Sequence, residues 1–215
     1  MRKFWTLLGI FAIVALLASP AAADTLTYYF DTPFDSKPLA DGSPPWLTAV
    51  FDDQGTPGTV VMTLTANLVD DNFISGLYFN LDSAITLSSF TYLTVQSAPA
   101  PSINWPGFDT YKADGDGYYD LLFAFPTAGA DRFDGADTWV VTIAGADLVA
   151  SSFNLPSVDG KDNWYAAAHV QSISAPEGST WIAGTYGGTE VPVPGAVWLL
   201  GSGLIGLVGL RRKFK

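Results

Sequence analysis

Residues 59–68 read Thr59-Val60-Val61-Met62-Thr63-Leu64-Thr65-Ala66-Asn67-Leu68. Val60, Met62, Leu64, Ala66 and Leu68 fall on one side of an extended chain, and Thr63, Thr65 and Asn67 on the other. A period of two is what a half-buried strand requires, because successive side chains point to opposite faces. Leu26, Tyr28 and Phe30 repeat the pattern upstream. Further runs rich in Val, Ile, Thr and aromatics span 47–51, 73–81, 85–95, 121–125, 138–143, 165–173 and 180–186. Each is bounded by Gly, Pro, Asp or Asn, the usual turn residues. No long segment between the two ends has a helical period. About nine short strands predict an all-β fold, an antiparallel β-sandwich of jelly-roll-like type, with a closed barrel as the alternative. Ser43-Pro44-Pro45 and Pro99-Ala100-Pro101 read as loops. Gly187-Gly188-Thr189-Glu190 reads as a short flexible tether.

Outward from the strands, both ends of the chain change character. Arg2 and Lys3 precede an apolar stretch from Leu7 to Ala18, then small residues that include Ala21 and Ala23. Signal peptidase accepts only small side chains at the two positions that fit Ala21-x-Ala23, so residues 1–23 read as a signal peptide and Asp24 as the mature start. The apolar run falls short of the roughly 20 residues that span a bilayer, which favours cleavage over anchoring. At the other end the chain runs without charge from Val191 to Leu210 and closes on Arg211, Arg212, Lys213 and Lys215. As a helix this stretch is long enough to cross the hydrocarbon core, and its basic end resists translocation. The expected organisation is signal helix 1–23, extracellular β-domain 24–190 and transmembrane sorting helix 191–215.

All 21 acidic residues lie between the two ends, where only Lys37, Lys112, Arg132 and Lys161 oppose them, so the domain is at −17. Such a surface repels nucleic acid and anionic lipid and suits a solvated extracellular domain. The chain has no cysteine. Stability then rests on the core, not on disulfides, despite the oxidising destination.

The segment Val191-Pro192-Val193-Pro194-Gly195-Ala196-Val197-Trp198-Leu199-Leu200-Gly201-Ser202-Gly203-Leu204, with its Arg-Arg-Lys end, resembles the PEP-CTERM class of bacterial sorting signals. It is closest to the variant whose motif reads V-P-L-P-A, from which Val193 and Gly195 depart. The resemblance implies processing by an exosortase, an integral-membrane transpeptidase-like enzyme, in a Gram-negative host with an exopolysaccharide system. The stretches 45–49, 77–81, 114–120 and 168–171, with Trp181-Ile182, also resemble a family of exported β-domains that carry the same tail. That second resemblance implies no established biochemical activity.

The strongest candidate for chemistry is Asp114-Gly115-Asp116-Gly117-Tyr118-Tyr119-Asp120. Carboxylates at alternate positions, with glycines between them, can curl around one hard cation. Calcium takes six to eight oxygens at about 2.3–2.6 Å. Asp114, Asp116 and Asp120 are therefore candidate calcium ligands. The run resembles calcium loops of the integrin-propeller and thrombospondin kinds, which begin with another Asp where Lys112 stands here. The alternative is a polar hairpin turn whose Asp and Gly residues serve turn geometry alone.

His169 is the only histidine, and there is no cysteine and no G-x-S-x-G elbow. Zinc, with three or four ligands to fill, and a Ser-His-Asp relay are both poorly supplied. A packed or hydrogen-bonded strand histidine is expected instead. Glu177 and Glu190 are the only glutamates, both in loop-like sequence, and no opposed carboxylate pair stands out for glycoside hydrolysis. Trp105 and Trp164 look loop-borne and are candidates for stacking on sugar rings. Trp139 and Trp181 lie in strands and are expected in the core. No catalytic residues emerge. The expected function is non-enzymatic: an exported cell-surface or extracellular-matrix domain associated with exopolysaccharide. Its expected partners are signal peptidase and exosortase during export, and the membrane through 191–215. The rivals are a calcium-dependent carbohydrate-binding module and a secreted polysaccharide-active enzyme.

Overall fold

A computed structural model describes residues 23–34, 40–69, 71–93, 100–114, 116–135, 137–174 and 178–190. The signal segment with Ala21, the sorting motif Val191, Pro192, Val193 and Pro194, and the helix expected to follow lie outside the described residues. Among the described residues no helix is long and apolar enough to cross a membrane.

The described chain is all-β. In order its strands are β1 (Thr25–Pro33), β2 (Leu47–Asp52), β3 (Thr59–Ala66), β4 (Phe73–Phe79), β5 (Leu87–Leu93), β6 (Ser102–Asn104) and β7 (Tyr111–Lys112). Then follow β8 (Tyr118–Tyr119), β9 (Leu121–Ala124), β10 (Phe133–Asp134), β11 (Thr138–Gly145), β12 (Ala166–Gln171) and β13 (Ser179–Glu190). Eleven of them form one antiparallel sheet in the order β5-β11-β3-β2-β1-β13-β12-β4-β9-β6, with β10 added to β4. β7 and β8 make a separate hairpin.

Hydrogen bonding is continuous from β5 to β6, so the sheet is curled and not divided into two ladders. The curl is visible in the core. Phe123 of β9 meets Phe90 of β5 at 6.5 Å and Trp139 of β11 at 5.5 Å between ring centroids, although these strands are remote in the pairing order. Register shifts between β1 and β13, at Leu26/Tyr28 and Phe30/Thr32, mark irregularities of the kind that bend a strand and increase its twist.

The alternation read at 59–68 holds. Val60, Met62, Leu64 and Ala66 are buried and Thr65 is exposed. Leu26, Tyr28 and Phe30 are fully buried as well. The centre of the core is aromatic: Phe51 lies 5.0 Å from Phe79, edge to face, and 4.4 Å from Phe153, stacked. The Tyr28 hydroxyl donates to the Phe153 carbonyl oxygen at 2.9 Å, which satisfies the one polar atom of that buried side chain.

One expectation is corrected. The supposed tether 187–190 is the end of β13, paired with β1 as Leu26↔Thr189 and Thr25↔Glu190. Gly187 belongs there because a Cβ would come within 2.6 Å of the Tyr29 ring. Every described pairing and both apolar clusters fall between Asp24 and Glu190, which form one compact unit. The described contacts of this unit are therefore internal to it.

Candidate functional site

The outer face of β4, β12 and β13 carries a second apolar layer. Ala167, Ala183, Phe34, Ala113 and Tyr119 are buried in it, with Tyr78, Tyr111, Trp164 and Trp181 packed around them. Period two explains it: Ala166 and Ala168 join the main core, while Ala167 faces the other way. Trp181, expected in the core, belongs to this outer layer, whereas Trp139 is in the main core. The β7–β8 hairpin contributes Tyr111 and Tyr119 to the layer, and its connecting loop is the acidic run.

The loop is a hairpin turn, with Tyr111↔Tyr119 and Lys112↔Tyr118 paired across it; Gly115 lies outside the described residues. Asp114 is exposed, with φ of +40°, a conformation that short polar residues tolerate. Asp116 turns inward and is 4% exposed. Its Oδ2 accepts from the Tyr119 hydroxyl at 2.6 Å and from Ser157 Oγ at 2.9 Å, while its Oδ1 has no partner among the described residues. Burial, followed by the adjoining Asp116 carboxylate, pushes the Tyr119 phenol far above its ordinary value, so this hydroxyl stays a donor.

Asp120 points elsewhere. Its Oδ2 accepts from the Leu81 amide at 2.8 Å and its Oδ1 from the Asp109 amide at 2.7 Å. Burial raises its carboxyl above the ordinary value, and those two amides pull it back down. Lys112 lies over the Tyr118 ring, 4.3 Å from its centroid. Thus Asp116 ties the hairpin to the 157–164 loop, and Asp120 ties it to the end of β4. Among the described residues no three acidic or histidine side chains are grouped as a metal shell requires.

His169 lies on the same outer face. Its ring stacks on Trp181 at 4.6 Å, and its Nδ1 shares a hydrogen bond of 2.9 Å with Ser75 Oγ. Burial lowers its pKa, and the Asp114 charge opposes that shift. A largely neutral imidazole beside a hydroxyl is the nearest approach to a nucleophile pair in this face. Ser75 sits at the register shift between β4 and β12, which aims its side chain at His169. No spacing in the sequence signals that pairing, nor the pairing of Ser157 with Asp116 across 41 residues.

Trp105 and Trp164 are not brought together as one platform. Trp105 is half-buried against the main core and meets Phe108 edge to face at 5.1 Å. Phe108 is 41% exposed, so this loop does present an aromatic ledge. Trp164 packs on the outer layer, and its indole N–H is buried without a partner among the described residues.

An acidic, cysteine-free β-domain that passes directly from its last strand into a proline-spaced apolar tail with a basic end is built as a surface-sorted exported protein. The tail carries the specific signature: residues 190–213 match the PEP-CTERM protein-sorting motif. The chain is therefore an exported protein sorted by an exosortase. No curated protein and no solved structure matches it.

Proposed function

We propose that residues 24–190 are a non-enzymatic surface or matrix domain that works within the extracellular polysaccharide layer after exosortase sorting. The carrying observation is that the sorting motif begins at Glu190, the last residue of β13. The folded domain is thus joined to its sorting signal without an intervening linker. On this reading the curled sheet serves as a jelly-roll-like platform, and its −17 charge keeps it solvated among polymers. Signal peptidase removes residues 1–23, and the helix 191–215 holds the chain at the membrane until it is processed. The test is expression in an exosortase-bearing host with and without residues 191–215. Intact protein should be retained at the surface and lose its basic tail, whereas truncated protein should be released. Purified domain should leave host polysaccharide unshortened; chain cleavage would overturn the non-enzymatic reading.

One observation favours the rival, a calcium-dependent carbohydrate-binding module. The buried Oδ1 of Asp116 lacks a partner among the described residues, and Phe108 of the Trp105–Phe108 ledge is exposed nearby in sequence. That module would retain a polysaccharide in a calcium-dependent way, and Trp105→Ala with Phe108→Ala would abolish the retention.

A further inference from the structure

We propose that the edge of β5 that no strand among the described residues covers pairs with the β5 edge of a second copy, so that one sheet continues through a two-fold dimer. An edge strand offers a row of unpaired amides and carbonyls, and folded proteins usually guard it with charge, proline or brevity. The two edges of this sheet are treated differently. β6 is three residues long, with Pro101 immediately before it and Pro106 two residues after it. β5 is seven residues, Leu-Ser-Ser-Phe-Thr-Tyr-Leu, with no proline and no charge. Among the described residues it bonds only β11, with Phe90 opposite Ile143 and Thr91 opposite Thr142. Leu87 is buried and Phe90 packs on the core, while Ser88, Ser89 and Thr91 are exposed. The residue types are those that favour strand pairing.

Charge selects the occupant. The domain is at −17, yet no charged residue occurs from Ser83 to Phe108, the longest such stretch between 24 and 190. Two copies repel over most of their surfaces and meet this neutral edge without like charges opposed. A strand paired antiparallel with its own copy is self-complementary and closes as a two-fold dimer, so it does not propagate into a fibre. Exosortase sorting delivers every copy to one surface, where tethering raises the effective concentration. The patch is small, and interfaces below about 1,200 Å² are weak, so a dissociation constant of roughly 10⁻⁴ M is expected.

The experiment is sedimentation equilibrium of residues 24–190 up to ~1 mM, a concentration at which a pairing of this strength is measurable. Wild type should dimerise, and more tightly at high salt, which screens the like net charges. Ser89→Glu with Thr91→Glu should weaken association at least tenfold while leaving the melting temperature of the monomer near wild type. Ala128→Glu with Ala130→Glu, the same charge added at the exposed 3-10 turn after β9, should weaken it far less. A monomeric wild type at ~1 mM, an unaffected Ser89/Thr91 variant, or equal loss in the Ala128/Ala130 variant would each overturn the proposal.

Discussion

Replacing Gly160 by alanine tests the account of the outer-face hairpin most sharply. A Cβ at Gly160 would sit on the Asp116 carbonyl oxygen and within 2.9 Å of Ser157 Oγ. The obstacle on the first side is backbone, so no rotamer relieves it, and the two loops must part. Parting them strains the hydrogen bonds between Tyr118 and Val158, N–H to O at 2.8 Å and 3.2 Å. It also pulls Ser157 Oγ away from the carboxylate of Asp116, a residue that is 4% exposed. A hydrogen bond to a charged group contributes about 1.5–3 kcal/mol, and a neutral one about 1. Losing the Ser157 bond and weakening the two backbone bonds costs roughly 3–5 kcal/mol. The stiffer unfolded chain returns at most about 1 kcal/mol of that. For a domain of this size, each kcal/mol moves the melting temperature by about 2–4 °C, so the expected fall is about 10 °C. Differential scanning calorimetry of residues 24–190 reads it directly. A variant melting within about 2 °C of wild type would refute the reasoning, because the loops would then part without cost.

Tyr28→Phe should cost about 1 kcal/mol, the loss of one buried hydrogen bond to Phe153, with the aromatic packing unchanged; chemical denaturation measures it, and a neutral result would mean the hydroxyl contributes nothing net. The lowered pKa of His169 means the unfolded chain takes up its proton first as pH falls, so stability is full above the unfolded value near 6.5 and declines as pH drops below it. His169→Asn should remove that part of the decline, and identical pH profiles for the two proteins would refute the assignment. Millimolar calcium should leave the melting temperature unchanged, since Asp120 is committed to two amides; a rise worth about 1 kcal/mol, lost in Asp116→Ala, would instead support the calcium-dependent rival.

The long strands were legible because each must hide one face, and hiding one face of an extended chain writes a period of two into the sequence. Thr59–Ala66, Leu47–Asp52 and Thr138–Gly145 follow that rule. β6, β7, β8 and β10 are two or three residues long, too short to carry a period. The end of β13 was misread because Gly187 and Gly188 signal flexibility when seen alone. The role of Gly187 is set by Tyr29, a residue on another strand whose ring occupies the space a side chain would need, and that of Gly188 by a φ of +106°. The acidic run was found by composition, but its two inward carboxylates serve different partners, Ser157 and Tyr119 for Asp116, the Leu81 and Asp109 amides for Asp120. Ser157 and Leu81 are distant in sequence, so local spacing could not show that the two carboxylates have separate protein partners.

The strand order also bears on how a sorted domain can carry load and make contacts. β13, the strand that runs into the sorting motif, is internal to the sheet, flanked by β1 on one side and β12 on the other. Its first half pairs with β12 from Ser179 to Gly184, and its second half pairs with β1 out to Glu190. Residues 185–190, next to the motif, pair with β1 alone, and the stretch 182–184 behind them is held on both sides. Counting along the sheet, β5 is five strands from β13 on one side and β6 is four strands away on the other. Attachment and lateral contact thus fall to different strands of one sheet. Weakening one need not weaken the other: glutamates on β5 should leave surface retention intact, and loss of retention by Ser89→Glu with Thr91→Glu in the sorting host would show that the two roles are not separable.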